Sequence, residues 1–79
     1  MRYVVRDFST LRKKAGLTIS QVADAIAVSR SSVTRLENGT GVKEEVAFRA
    51  VLVLNSTYYK ENGEELIAED LVISVGSRT

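Results

Sequence analysis

Apolar residues recur at helical spacing in the first part of the chain. Phe8, Leu11 and Ala15 form one stripe, which predicts a first helix that ends at Ala15. Val4 continues the stripe backwards, so the helix begins either near Val4 or at Asp7. In the second case the residues RYVV precede the helix and are free to form a short strand.

A second helix is predicted by its own start signal. Thr18 and Gln21 have the spacing of a capping box, in which each side chain hydrogen-bonds the backbone N–H of the other residue. The apolar residues that follow predict a helix of about two turns, through Val22, Ala23 and Ile26.

The third predicted helix is the polar stretch SRSSVTRLENG, residues 29–39. Ser29 is a favourable N-cap, and Gly39 is well placed to end the helix. Val33 and Leu36 are its only large apolar residues and lie three apart, so they face inward. The other positions form a polar outer face that carries two arginines.

The stretch VKEEVAFRAVLVLN, residues 42–55, predicts a fourth helix. Its first turn contains acidic residues, which the positive end of the helix dipole favours. Ala50–Leu54 is a run of five apolar residues, more than a single buried stripe needs. Two explanations stay open, a core helix covered on several sides and a subunit interface.

The C-terminal segment, residues 56–79, has a different pattern. Asn62 and Gly63 are a strong signal for a tight hairpin turn, and LVISV is rich in β-branched residues. The stretch EELIAEDL is also compatible with a turn of helix. We predict a mainly α chain with a short C-terminal β-element, either a hairpin or a single strand.

Composition narrows the class of protein. A chain of 79 residues forms one small domain, and small cores often rely on oligomerisation, which favours a homodimer. Because the chain has no cysteine, no histidine and no phosphate-cradling glycine loop, we expect no catalytic residues, no metal site and no cofactor. The apolar runs are too short for a membrane span or a signal core, which predicts a soluble cytoplasmic protein.

Charge divides the chain into two unequal parts. Residues 1–43 contain eight Lys and Arg against three acidic residues, a net charge of +5. Residues 44–79 contain three against seven, a net charge of −4. This asymmetry favours a polyanion as the partner of the first part.

Two short helices separated by about three residues describe a helix-turn-helix, here residues 19–38. At about 100° per residue, four outward positions of the second helix form one strip, Arg30, Ser31, Thr34 and Arg35. Arginine can donate two hydrogen bonds to guanine, and the short hydroxyl side chains can contact most base edges or a thymine methyl group. The strip therefore predicts double-stranded DNA as the partner, with these four residues contacting bases in the major groove.

Residues 11–41 resemble the helix-turn-helix of the Cro/C1-type family, also called lambda-repressor-like or Xre. The matching elements are Leu11-Arg12, Gly16-Leu17-Thr18, Val22-Ala23, Ile26, Val28-Ser29, Val33 and Leu36-Glu37-Asn38-Gly39. The resemblance implies a lambda-repressor-like four-helix DNA-binding domain, residues 1–55. Residues 56–79 then remain as the β-element and a candidate dimerisation segment.

The resemblance also implies roles for single residues. Arg30, Ser31 and Arg35 fall where the family reads bases, and Thr34 lies beside them. The positions of phosphate contacts are occupied by Ser29, Asn38, Thr40 and Lys43. A family ion pair corresponds to Arg12 and Glu37.

Two positions depart from the family pattern. Ile19 stands where the family often has a glutamine that contacts phosphate, so that contact is absent or Ile19 packs elsewhere. Ala27 stands in the turn where glycine is common. If this position needs a positive φ, alanine costs about 1 kcal/mol.

Together these features predict a sequence-specific transcriptional regulator of repressor or Cro-like type, of the kind found in phages and prophages. It would bind a pseudo-palindromic operator as a dimer. The alternative is an antitoxin or anti-repressor-like module that binds a protein partner through the apolar fourth helix and the acidic segment. No membrane partner is expected.

Overall fold

The computed structural model describes residues 2–75. In chain order its elements are β1 (Arg2–Val5), α1 (Phe8–Lys14), α2 (Ile19–Ile26), α3 (Arg30–Glu37), α4 (Glu44–Asn62), α5 (Ala68–Leu71) and β2 (Val72–Val75). The predicted mainly α fold with a helix-turn-helix and a short β-element is confirmed, with one helix more than the predicted four in the described range. Residues 76–79 of the predicted C-terminal segment lie outside it.

The start of the first helix follows the second of the two alternatives. Asp7 has a left-handed backbone conformation, with φ 55°, so no continuous helix connects Val4 to Phe8. The residues RYVV form β1, and α1 begins at Phe8. Val5 and Phe8 are both buried, which anchors the strand and the helix in the same core.

The core forms where α4 packs against α1, α2 and β1. Its largest fully buried side chains are those of Val22, Val33, Val51 and Leu54. Burying an aliphatic side chain of this size stabilises the fold by about 1.5–3 kcal/mol. Ala23, Ala47 and Ala50 are also buried, and their small side chains let the helices approach closely.

The apolar run of α4 divides between two environments. Ala50, Val51 and Leu54 are buried in the core. In contrast, Leu52 is 65% exposed and Val53 is only partly buried. The core explains three of the five residues and leaves a face with a large exposed apolar side chain.

The hairpin turn predicted at Asn62 and Gly63 is wrong. Asn62 is the last residue of α4, and Gly63 is the C-cap in the left-handed conformation, with φ 72°. A positive φ is required in a helix C-cap as well as in a tight turn, so the same dipeptide serves both. The continued helix is favoured over the hairpin here because its last turns bury Tyr58 in the core.

The C-terminal segment returns to the beginning of the chain. The helix-turn alternative for EELIAEDL is realised as α5, and LVISV contributes β2. β2 pairs antiparallel with β1, with Arg2 opposite Val75 and Val5 opposite Val72. On the other side of β1, Tyr3 forms an isolated bridge with Val42, in the loop between α3 and α4.

Candidate nucleic-acid interface

The unit formed by α2 and α3 has a capped start and a shared apolar interior. The Thr18 hydroxyl accepts a hydrogen bond from the Gln21 backbone N–H at 3.1 Å, and the Gln21 side chain accepts one from the Thr18 N–H at 2.8 Å. The buried residues on the facing sides of the two helices are Val22, Ala23, Ile26, Val33 and Leu36. This packing fixes α3 on α2 and leaves one face of α3 in solvent.

The turn between α2 and α3 depends on one left-handed residue. Ala27 has φ 59° and ψ 46°. Its N–H bonds the carbonyls of Ala23 and Asp24, and the Val28 N–H bonds the Ala23 carbonyl at 3.0 Å. An L-residue in this conformation is strained by about 1 kcal/mol. The turn therefore forms without glycine, at the expense of some stability.

The outer face of α3 brings together the four residues assigned to base contact. Arg30, Ser31, Thr34 and Arg35 are all exposed. The Thr34 hydroxyl donates to the Arg30 carbonyl at 3.0 Å. Because a hydroxyl has a single proton, Thr34 presents a methyl group and acceptor lone pairs outward in this arrangement. Two arginines thus flank short side chains, which lets the helix approach a surface closely.

Ser29 begins α3 and carries a small hydroxyl cluster. Its Oγ accepts from the Ser32 N–H at 3.4 Å and lies 2.9 Å from Ser31 Oγ. The positive end of the helix dipole lies at this terminus, so an anion is favoured next to it. Ser29 is exposed and lies where such an anion would be bound.

The other three residues assigned to phosphate lie beyond the opposite end of α3. Asn38 is its C-cap, Thr40 follows in the loop, and Lys43 is the N-cap of α4. All three are exposed. An eight-residue helix is about 12 Å long, so Ser29 and this group flank the strip from both sides.

Arg12 of α1 and Glu37 at the end of α3 form an ion pair. Arg12 Nε lies 2.7 Å from Glu37 Oε2, and Arg12 Nη1 donates to the Leu17 carbonyl at 2.8 Å. The hydrogen bond from Arg12 lowers the pKa of the Glu37 carboxyl group, against the opposing effect of burial. The charge of the single acid of α3 is therefore paired with that of Arg12 on α1.

Residues 6–55 match the family model of the helix-turn-helix domain. The match covers more than half of the 79 residues and contains α1, α2, α3 and the first part of α4. The chain belongs to the helix-turn-helix domain family. No curated protein and no solved structure matches the chain.

Within the matched residues, α2 and α3 are the two short helices joined by a three-residue turn, which makes α3 the second helix of the helix-turn-helix. Within this domain, Ile19 is partly buried against the apolar core, and its aliphatic side chain has no donor for a phosphate. Gln21, two residues later, uses its side chain in the capping box. Ile19 therefore takes the packing alternative that the departure from the family pattern left open.

Sequence reasoning missed how the loop after α3 is held. The Tyr3 N–H donates to the Val42 carbonyl, and the Val42 N–H donates to the Tyr3 carbonyl, both at 2.8 Å. A Cβ atom at Gly41, which has φ 103°, would lie 2.7 Å from the Cβ of Arg2. The second glycine of the GTG stretch was the available signal, since it marks both a positive φ and a close approach.

Arg49 of α4 is a second residue that the sequence did not single out. Its guanidinium lies 3.5 Å from the carbonyl of Ile26, at the C-terminal end of α2. A cation there is favoured by the helix dipole.

Two negative findings apply to residues 2–75. No helix among them is long and apolar enough to cross a membrane. Nor do they contain a cluster of three or more acidic residues arranged to hold a metal ion.

Proposed function

We propose that this protein is a sequence-specific transcriptional regulator of the Cro/C1 type that reads double-stranded DNA with α3. The observation that carries the proposal is the exposed strip of Arg30, Ser31, Thr34 and Arg35 on the second helix of a helix-turn-helix domain. A helix of this size fits the major groove, where each base pair presents a distinct pattern of donors and acceptors.

Base and phosphate contacts have separate roles in this proposal. Arg30 and Arg35 donate to guanine O6 and N7, and Thr34 places its methyl group against a thymine methyl. Ser29 at one end of α3 and Lys43 beyond the other end contact phosphates. Phosphate contacts orient the domain on the duplex, while the strip selects the sequence.

The proposed binding unit is a homodimer on a pseudo-palindromic operator. In a two-fold dimer the two α3 helices enter successive turns of the major groove, which lie about 34 Å apart. Occupying a promoter then regulates transcription by blocking or recruiting polymerase. We assign no catalytic activity to the chain, because its sequence contains neither histidine nor cysteine, the residues of the common nucleophile–base pairs.

Selection of bound sequences from random DNA tests the proposal. The expected result is an enriched sequence with two related half-sites. Arg35→Ala then relaxes base preference at one position of each half-site and costs about 1–3 kcal/mol of binding. Lys43→Ala is the matched variant, because it weakens binding to all sequences about equally and reduces the salt slope by about one. Equal binding of the parent and an Arg30→Ala, Arg35→Ala double variant to the selected site would contradict the assignment.

A second candidate function is an antitoxin or anti-repressor-like module that binds a protein. It is favoured by the exposed acids at the end of α4 and just after it, among them Glu61, Glu64 and Glu65, and by the exposed Leu52 on α4. Tight and salt-sensitive DNA binding by the isolated chain favours the regulator. Weak binding without sequence preference, together with a stable complex with another protein, favours the second candidate.

A further inference from the structure

One face of α4 is exposed and is rich in side chains suited to an interface. Leu52 is 65% exposed and Tyr59 is 53% exposed. At about 100° per residue they share a sector of about 120° with five neighbours, and we call this set the α4 strip: Glu45, Arg49, Leu52, Val53, Ser56, Tyr59 and Lys60. The buried residues of α4 occupy the opposite sector, so among the members of the strip only Val53 packs partly against the core.

A cavity opens beside the middle of the α4 strip. It has a volume of about 270 Å³ and lies between α4 and the C-terminal end of α2. Its lining is mainly apolar, and consists of Ala25, Ile26, Ala27, Arg49, Leu52 and Val53. An apolar side chain of a partner can therefore enter this cavity next to Leu52 and be removed from contact with water.

The α4 strip is complementary to itself. Suppose that a second α4 packs antiparallel against the strip, with a two-fold axis between positions 52 and 53. Each residue then faces the partner residue that lies equally far from the axis, on the opposite side of it along the sequence. Leu52 then meets the partner's Val53, and Glu45 meets the partner's Lys60. A two-fold axis repeats every contact, so the arrangement has an apolar centre with an opposite-charge pair at each end.

We propose that the α4 strip is the interface with a second copy of this chain, packed antiparallel about Leu52 and Val53. The proposal rests on the proposed function for its role, because operator binding by a dimer needs such an interface. The strip runs from Glu45 to Lys60 and is about 24 Å long. That length suits a small interface and a dissociable dimer rather than an obligate one.

Charge reversal followed by sedimentation equilibrium tests the interface. Glu45→Lys and Lys60→Glu each place two like charges together at both ends, and each is expected to raise the dimer dissociation constant about tenfold. The double variant restores opposite charges and is expected to recover dimerisation. Glu44→Lys is the control, because Glu44 occupies the same first turn but lies outside the strip. If both single variants dimerise like the parent, or the double variant does not recover, the proposal is wrong.

Crosslinking gives an independent readout because the chain has no cysteine. Leu52→Cys places one thiol next to the two-fold axis and is expected to form a disulfide-linked dimer on mild oxidation. Glu64→Cys, at an exposed position outside α4, is the control and is expected to crosslink far less. Equal crosslinking by the two variants contradicts the proposed arrangement.

DNA binding measured on the same samples separates this inference from the proposed function. Sequence-specific binding by a chain that stays monomeric overturns the interface and leaves the regulator in place. Dimerisation through the α4 strip without any sequence-specific binding supports the interface and overturns the regulator.

Discussion

The two ends of α3 are held in different ways. At its start, the left-handed Ala27 and the cap Ser29 are fixed by hydrogen bonds to residues within five positions along the chain. At its end, Val42 is hydrogen-bonded to Tyr3 of β1, and Gly41 lies close to the side chains of Arg2 in β1 and Val75 in β2, which are far away in sequence. The orientation of the proposed reading helix therefore depends on local geometry at one end and on long-range pairing at the other.

The largest expected effect tests the C-terminal end of α3, where the following loop is held by residues distant in sequence. Gly41→Ala adds a Cβ 2.7 Å from the Cβ of Arg2 and forces alanine to φ 103°. We expect a loss of about 3 kcal/mol in the free energy of unfolding, from overpacking and backbone strain together. Urea unfolding measures the change.

Gly39→Ala is the matched control for this prediction. Gly39 also has a positive φ, of 73°, but a Cβ there meets nothing within 4 Å. It should cost only about 1 kcal/mol, the strain of a left-handed alanine. Similar losses for the two variants would show that the contact with β1 contributes little to the stability of the loop.

The second prediction concerns the pair that ties α1 to the end of α3. Glu37→Gln removes a carboxylate hydrogen-bonded to Arg12, and we expect a loss of about 1–2 kcal/mol at neutral pH. Because the folded pKa of Glu37 lies below its unfolded value of 4.5, this stabilisation is complete above about that pH and disappears as pH falls through the lowered folded pKa.

Urea unfolding of the parent and of Glu37→Gln between about pH 7 and pH 3 checks the pH dependence. The difference between them should shrink on the acid side of the range. Glu64→Gln serves as the comparison at an exposed carboxyl group. A difference for Glu37→Gln that stays constant down to pH 3 would mean that the variant acts through packing and not through charge.

The smallest expected effect tests the turn before α3, which is held by residues nearby in sequence. Ala27→Gly relieves the left-handed strain and should raise the free energy of unfolding by about 0.5–1 kcal/mol. Ala25→Gly, at an exposed position within α2, should instead lower it by a similar amount. Thermal unfolding of the two variants gives opposite shifts if the turn is strained. Destabilisation by both would place the strain elsewhere.

The same division between local and long-range contacts explains what the sequence predicted. The bounds of α2 and α3 follow from side chains that cap their own helices, such as Thr18 and Ser29, and these signals lie within a few residues of the effect. The strip on α3 follows from helical period alone. The pairing of Arg12 with Glu37 came from the family resemblance, because no local pattern joins positions 25 residues apart.

The features that the sequence did not predict are those decided by distant partners. The pattern of LVISV indicated a strand but did not indicate its partner. That partner is β1, at the opposite end of the described residues. Asn62 and Gly63 predicted a hairpin turn by local rules, although a glycine in the left-handed conformation also suits a helix end. The burial of Tyr58 and the hydrogen bond from the Asn62 side chain to the Lys14 carbonyl favour the helix.

The central claim, that α3 reads bases in the major groove, is tested most directly by removing a single acceptor atom from the DNA. Replacing guanine by 7-deazaguanine in the selected operator deletes N7, which an arginine of the strip would contact. We predict that the parent loses affinity at the guanine assigned to Arg35 and that Arg35→Ala does not, because the contact is already absent. Equal losses for both proteins, or no loss for the parent at any guanine of the site, would contradict the account.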